Sequence, residues 1–441
     1  MKRFVLPSIS ALCIAAAIYA NTGNATSNSA ETYRQWDQLV QVYERVRDEY
    51  VESVDDSEMV EAAINGMLSS LDPHSSYMGP ESVENMQMQT SGQFGGLGIE
   101  VTMEDGLVKV IAPIDDTPAA KAGLQGGDFI THIDGEQVYG MTLPEALKLM
   151  RGDVGEPITV TILREETPAP FDVTIIRDTI QVRSVRHRIE NDNVGYIRIA
   201  SFNKNAGSGV RKAMSAIKEE VGDDLAGVVL DLRGNPGGLL DQAVAVSDAF
   251  LDKGEVVSTR GRRAADIDRY NARNGDIADG LPVVVLINAY SASASEIVAG
   301  ALQAHRRGTV IGTQSFGKGT VQTIIPLSAQ SAIRLTTARY YTPSGLSIQE
   351  YGITPDIIVE QPRPEEFKDL PKPRREADLR NHLANEKTPE ELADEQLEDA
   401  PLVARTTKSS RDTDEIKDYK LGYAIDLIDQ VSQFRQQVAM N

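Results

Sequence analysis

The chain has 441 residues, 65 acidic and 44 basic side chains and a net charge of -21. That length allows two or three domains, and that charge repels nucleic acid and anionic lipid. Cys13 is the only cysteine, and the five histidines (His74, His132, His187, His305, His382) show no metal-ligand spacing, so disulfide frameworks, thiol nucleophiles and zinc centres are poor readings.

Met1-Lys2-Arg3 is basic, Val5 to Ala20 is short and mostly apolar, and small polar residues follow. This is the layout of a secretory signal peptide, assigned to residues 1–25, with cleavage expected after Ala20 or Ala25. Leu12 before Cys13 argues against lipid attachment there. Residues 31–90 read as an N-terminal helical region, because Trp36, Leu39, Val40, Tyr43, Val46 and Tyr50 recur at helical spacing. A second stripe runs from Val60 to Leu71, and Asp72-Pro73 ends it. The pair is expected to be a packed cap or a dimer contact.

Residues 91–180 form a β-rich module. Short apolar runs at 98–103, 107–111, 129–133, 158–163 and 171–176 alternate with glycine, and a helix over 143–150 follows Thr142 as N-cap. Residues 181–360 alternate strand and helix. The runs 227–232 and 282–287 are nearly continuously apolar, as suits central strands covered on both faces. Helices are expected over 208–221, 239–251 and 296–305. Four prolines within 361–375 predict an extended linker, and the acidic stretch beyond it predicts partial mobility. A final helical stripe runs from Ile416 through Tyr419, Tyr423, Leu427 and Val431 to Phe434. The fold class is therefore multidomain α/β, with helical ends.

Three segments carry candidate chemistry. Asn288 to Ile297 contains Ser291, Ser293 and Ser295 between a buried strand and a helix, where free backbone N–H groups favour negative charge. A serine there either caps the helix or attacks a carbonyl. His305 lies at the far end of the same helix, about 18 Å away at 1.5 Å per residue, too far to serve as base. Lys318 stands between Gly317 and Gly319, and a desolvated lysine can take a serine proton. The third segment, Asp231-Leu232-Arg233-Gly234-Asn235-Pro236-Gly237-Gly238, ends the other buried strand and offers N–H groups to an oxyanion.

Together these segments resemble the C-terminal processing peptidases, or tail-specific proteases. The pattern is Ser291-Ala292-Ser293-Ala294-Ser295-Glu296, then Phe316-Gly317-Lys318-Gly319-Thr320-Val321-Gln322. The resemblance selects Ser293 as nucleophile and Lys318, 25 residues later (318 − 293), as general base. It implies that Gln322 orients the lysine. It also implies an oxyanion hole from the N–H of Ala294 and of Gly237 or Gly238, with the choice between the glycines open. The core is then of the ClpP/crotonase-like α/β type. Gly96-Leu97-Gly98-Ile99 resembles the carboxylate-binding loop of a PDZ domain, with Arg151 as a further charge contact. Leu71 to Tyr77 matches the family's N-terminal region.

The expected activity is that of a secreted serine endopeptidase that engages carboxyl-terminal segments of protein substrates and uses no cofactor or metal. The resemblance and the leader place it in the periplasm or cell envelope. The terminal helices are where a homo-oligomer would form, and an activating adaptor is a candidate partner. The competing readings are a non-catalytic PDZ adaptor and an acyl-thioester enzyme on a similar core. Both Ser293 and Lys318 argue against the first, and secretion away from coenzyme A argues against the second.

Overall fold

In the two buried, largely apolar runs, successive residues feed two different cores. Gly227–Asp231 and Val283–Ile287 are buried at every position. Val228, Leu230, Val283, Val285 and Ile287 face one core. Val229, Val284 and Leu286 face the other. Side chains alternate across a strand, so a strand covered on both sides must be apolar throughout. These strands are the centre of a six-stranded sheet. Its order is Val185–Glu190, Val194–Ile199, Gly227–Asp231, Val283–Ile287, Thr309–Gly312 and Ile357–Ile358. All neighbours pair parallel except the first two.

Helices Ala206–Val221, Leu240–Phe250 and Ala294–Ala304 cover one face through residues such as Met214, Phe250 and Ile297. The other face is covered by the last helix, Tyr419–Ala439, through Leu421, Ala424, Ile425 and Ile428. Burying Leu421, Ile425 and Ile428 is worth at most roughly 5–8 kcal/mol. Arg233 ties this helix down: Nη1 and Nη2 donate to the two Asp418 carboxylate oxygens, each at 2.7 Å, and the guanidinium also pairs with buried Asp231. Burial works against the charge on Arg233, and these two carboxylates hold it protonated.

A second sheet was not foreseen from sequence. It joins Ser76–Met78, Ala332–Tyr341, Gly254–Gly261 and Ile267–Ala272, with Thr320–Pro326 in a hairpin against Ala332–Tyr341. Its mixed exposure explains why no clean apolar run announces it.

The β-rich module is a sheet of order Ile99–Glu104, Leu107–Pro113, Phe129–Ile133, Pro157–Leu163 and Phe171–Ile176, around its own core of Val108, Ile130, Val160 and Ile162. Ile99–Glu104 is an edge strand. The helix Leu143–Met150 is capped as expected. Thr142 N–H and Oγ1 both donate to the Glu145 carboxylate at 2.7 Å, which holds that carboxyl below its ordinary value.

The computed structural model describes residues 10–165, 167–273, 275–360, 373–388, 391 and 418–439, with side chains from residue 30 onward except at 436 and 439. The basic start of the leader, most of the proline-rich linker and Ile416 lie outside these residues. Residues up to Leu68 form one unit and residues from Ser69 form another. In the first unit, the helix Ser10–Glu49 is followed by Asp56–Ser69. Its apolar stripe is exposed, including Trp36 and Tyr50 at 54% and 59%. Among the described residues no helix is long and apolar enough to cross a membrane.

Candidate active site

Ser293 closes the turn between strand Val283–Ile287 and helix Ala294–Ala304, with φ 55° and ψ -111°. A non-glycine residue in such a region costs on the order of 1–3 kcal/mol. The surrounding bonds hold it there. Ser293 N–H donates to Glu296 Oε2 at 2.7 Å, and Ser293 C=O accepts from Glu296 and Ile297 N–H. The three serines of the run are not equivalent. Ser291 Oγ donates to Leu232 C=O and Ser295 Oγ to Asn235 C=O, both at 2.9 Å. Ser293 Oγ instead neighbours the hydroxyl of Tyr340, a phenol that burial pushes up to about 12. Ser291 and Ser295 stitch two turns together, a task that Ser293 does not share.

The partner turn is Leu232 to Leu239. Ala292 N–H donates to Asn235 C=O at 3.0 Å, and Gly234 N–H to Asn288 Oδ1 at 3.0 Å. Asn235 is fully buried. Its Nδ2 donates to Ile199 C=O and its Oδ1 accepts from Gly237 N–H, both at 2.9 Å. The N–H of Gly237 is thus engaged within its own turn. Gly238 and Ala294 N–H meet no acceptor among the described residues. Gly237 has φ 106°, and a Cβ there would lie 2.9 Å from Ala292 O and Ser293 Cβ and 3.0 Å from Ala294 N. Only a glycine lets the two turns come this close.

Glu296 links the serine to the lysine. It is fully buried, one turn into the helix. Its Oε1 accepts from Ser315 Oγ at 2.6 Å and Gly317 N–H at 2.7 Å. Its Oε2 accepts from Ser293 N–H at 2.7 Å and Lys318 N–H at 3.0 Å. Burial raises its pKa to about 7, while these four donors pull the other way. Sequence reasoning quoted Glu296 as part of a motif and missed its role as the clamp. A capping-box spacing after the serine was the available signal.

Lys318 follows on the next loop. Gly319 lets that loop press on its neighbour: a Cβ there would lie 2.1 Å from the Gln349 backbone nitrogen. Burial lowers the pKa of Lys318. Glu376, Glu296 and Asp72 oppose the shift and Arg334 assists it. Its Nζ meets no hydrogen-bond acceptor and no ion-pair partner among the described residues, Ser293 included. Gln322 lies in the hairpin after a bulge and donates Nε2 to Thr320 and Thr336 hydroxyls, at 3.0 and 3.2 Å, with no bond to Lys318. Asp72 accepts from Ser75 and Thr336 hydroxyls. Burial would raise its pKa, and its hydrogen bonds hold it below the ordinary value.

In the β-rich module, Gly96 ends a strand and Ile99 begins the edge strand. The N–H groups of Leu97 and Gly98 between them meet no acceptor among the described residues. Arg151 caps the helix Leu143–Met150, with its guanidinium 5.2 Å from the centre of the Phe94 ring, beside this loop.

Fold and site together define a PDZ-bearing peptidase, and comparisons with known proteins agree. Residues 193–359 match the model of peptidase family S41, 109–164 that of the PDZ domain and 14–82 that of the activating protease CtpB N-terminal domain. The carboxy-terminal-processing protease of Bartonella bacilliformis is 54% identical over 385 residues, covering 87% of this chain and 88% of that protein. Carboxy-terminal processing protease CtpA of Bacillus subtilis is 35% identical, covering 82% of this chain and 78% of that protein. Among solved structures, the photosystem II D1 C-terminal processing protease is 31% identical and covers 74% of this chain and 86% of that chain, with a TM-score of 0.44. The chain belongs to the carboxy-terminal processing proteases of family S41 and is a serine-type peptidase.

Proposed function

We propose that this chain is a secreted endopeptidase in which Ser293 attacks and neutral Lys318 is the general base. One observation carries the reading: a single buried carboxylate, Glu296, accepts a backbone N–H from both Ser293 and Lys318. Lys318 takes the Ser293 Oγ proton, Oγ bonds to the peptide carbonyl carbon, and the oxyanion is received by the N–H groups of Ala294 and Gly238. One such donor is typically worth about 3–4 kcal/mol. The protonated lysine then releases its proton to the leaving amine, and water opens the acyl-enzyme. Gln322 is assigned to orient Lys318 through its amide oxygen.

The Gly96–Ile99 loop takes a substrate carboxylate on the N–H groups of Leu97 and Gly98, with Arg151 alongside, and the peptide adds to the edge strand Ile99–Glu104. In the present geometry Ser293 neighbours Tyr340 and makes no bond to Lys318. Release of Oγ from Tyr340 is the step an activating adaptor or a bound substrate would promote. The leader supports export to the periplasm or cell envelope, and the exposed Trp36–Tyr50 stripe supports a homo-oligomer.

The test is cleavage of an unstructured polypeptide ending in apolar residues, beside Ser293→Ala, Lys318→Ala and a carboxyl-amidated substrate. Loss in both variants and slower cleavage of the amide are expected. Cleavage that survives Ser293→Ala would overturn the nucleophile. Fractionation of cells checks the compartment.

A further inference from the structure

The segment Asp72 to Ser75 belongs to a motif that the proposed chemistry leaves unused, and it reaches the lysine through one carboxylate. His74 Nε2 lies 3.0 and 2.9 Å from the two carboxylate oxygens of Glu376, 302 residues away in sequence. Facing an ionised carboxylate, which only accepts, this nitrogen can bond solely in the tautomer that puts a proton on it. Glu376 is fully buried. Its backbone N–H donates to Phe316 C=O at 3.1 Å, two residues before Lys318. Its Oε1 also accepts from Gln349 Nε2 at 3.0 Å, and Gln349 Oε1 accepts from Gly319 N–H at 2.9 Å. Glu376 is therefore strapped to both sides of Lys318, by its backbone before it and through Gln349 after it, yet its carboxylate forms no ion pair with the lysine among the described residues.

A buried carboxylate so close would ordinarily pair with an ammonium and keep it charged. We propose that His74 is a positioning residue for the general base: it holds the Glu376 carboxylate on its own ring N–H and so keeps Lys318 from being captured as an ion pair. The inference rests on Lys318 being that base. The charged groups that act on Lys318 are Glu376 and Asp72 on one side, Glu296 from the nucleophile helix, and Arg334 from the adjacent strand. Of these, Glu376 acts most strongly and is the one engaged by an imidazole.

The test is the pH dependence of cleavage by the full chain. With His74→Ala, Glu376 turns to Lys318, the lysine holds its proton to higher pH, and the acid limb of kcat moves up by about one pH unit. Glu376→Gln removes the charge, so the limb moves to lower pH. The double variant follows Glu376→Gln, and His74→Gln, which keeps a donor, restores much of the wild-type profile. Loss of rate in His74→Ala and Glu376→Gln with an unmoved limb would mean a purely structural role and overturn the proposal. A double variant that stays displaced to high pH would also overturn it. If His74→Ala does not fold, the milder His74→Asn, which lacks a donor at the Nε2 position, takes its place, and an unmoved limb in it overturns the proposal. Lys318→Ala keeps the two readings apart. Cleavage that persists in it removes the base itself. A dead Lys318→Ala beside unmoved limbs removes only the role of His74.

Discussion

Ser293 and Lys318 are held in opposite ways. The serine turn is stitched by backbone atoms and short side chains of two adjacent β–α turns, 288–297 and 231–239. The lysine loop is held by side chains from separate stretches: Glu296, Gln349 and Glu376, with His74 behind the last. A nucleophile must present one atom at one angle, which favours a rigid, strained turn. A base must lose a proton near neutral pH, which depends on the charges around it more than on its own backbone.

The sharpest way to break the serine side is Gly237→Ala. The new Cβ would press on Ala292, Ser293 and Ala294 at about 3 Å in a backbone region alanine avoids. A fall in kcat of about 100-fold or more is expected. A normal rate would show that the two turns need not meet this closely.

Glu296→Gln breaks the link between the two sides. An amide has one accepting oxygen and would turn its N–H against Ser293 and Lys318 N–H, or against Gly317 N–H and the Ser315 hydroxyl, each buried mismatch costing about 1–3 kcal/mol. A fall in kcat of roughly 10- to 100-fold follows. The same variant tests a pH effect. Glu296 is raised to about 7 from an ordinary 4.5, so the folded state binds its proton more tightly. Its contribution to stability is complete below pH 4.5 and is lost as pH rises through about 7. Urea midpoints at pH 5 and pH 8 should therefore lie closer together in Glu296→Gln than in the wild type.

Asp418→Ala removes a bidentate partner of Arg233 and loosens the last helix. Asp418 is more than a third exposed, so a loss of only about 1–2 kcal/mol is expected in urea unfolding, with kcat nearly unchanged. A large fall in kcat would mean that Arg233 transmits strain into the Gly234–Gly238 turn. The smallest effect is expected from Arg151→Ala, whose side chain is exposed: a rise of about threefold in KM, reduced by salt and absent with amidated substrate.

Legibility in the sequence follows the same division. Strands 129–133 and 171–176 and the helix 143–150 end where periodicity placed them, because each has one face more buried than the other and a clear stop. The helix expected from 296 begins at Ala294, and the strand expected from 98 begins at Ile99, since Gly98 has φ 78°. The three motifs converge on one edge of the sheet, as their positions after consecutive parallel strands require. The lysine environment was not readable. Glu376 lies just past the stretch read as linker, at the start of the one read as partly mobile, yet it is fully buried beside His74, Gln349 and Phe316. A lone acidic residue in a polar segment carries no periodic signal. Its burial becomes intelligible only when partners hundreds of residues away are known. Likewise Tyr340 belongs to a half-exposed strand that alternation alone does not mark.

The last helix makes one face of the catalytic sheet depend on a late stretch of the chain. Leu421, Ala424, Ile425 and Ile428 pack beneath that sheet with Val229, Val284, Leu286 and Ile311. A copy cut anywhere before Asp418 would bare those strand residues to water and take from Arg233 its bidentate partner. Clipping the tail thus unroofs half of the core while leaving Ser293 and Lys318 in the chain.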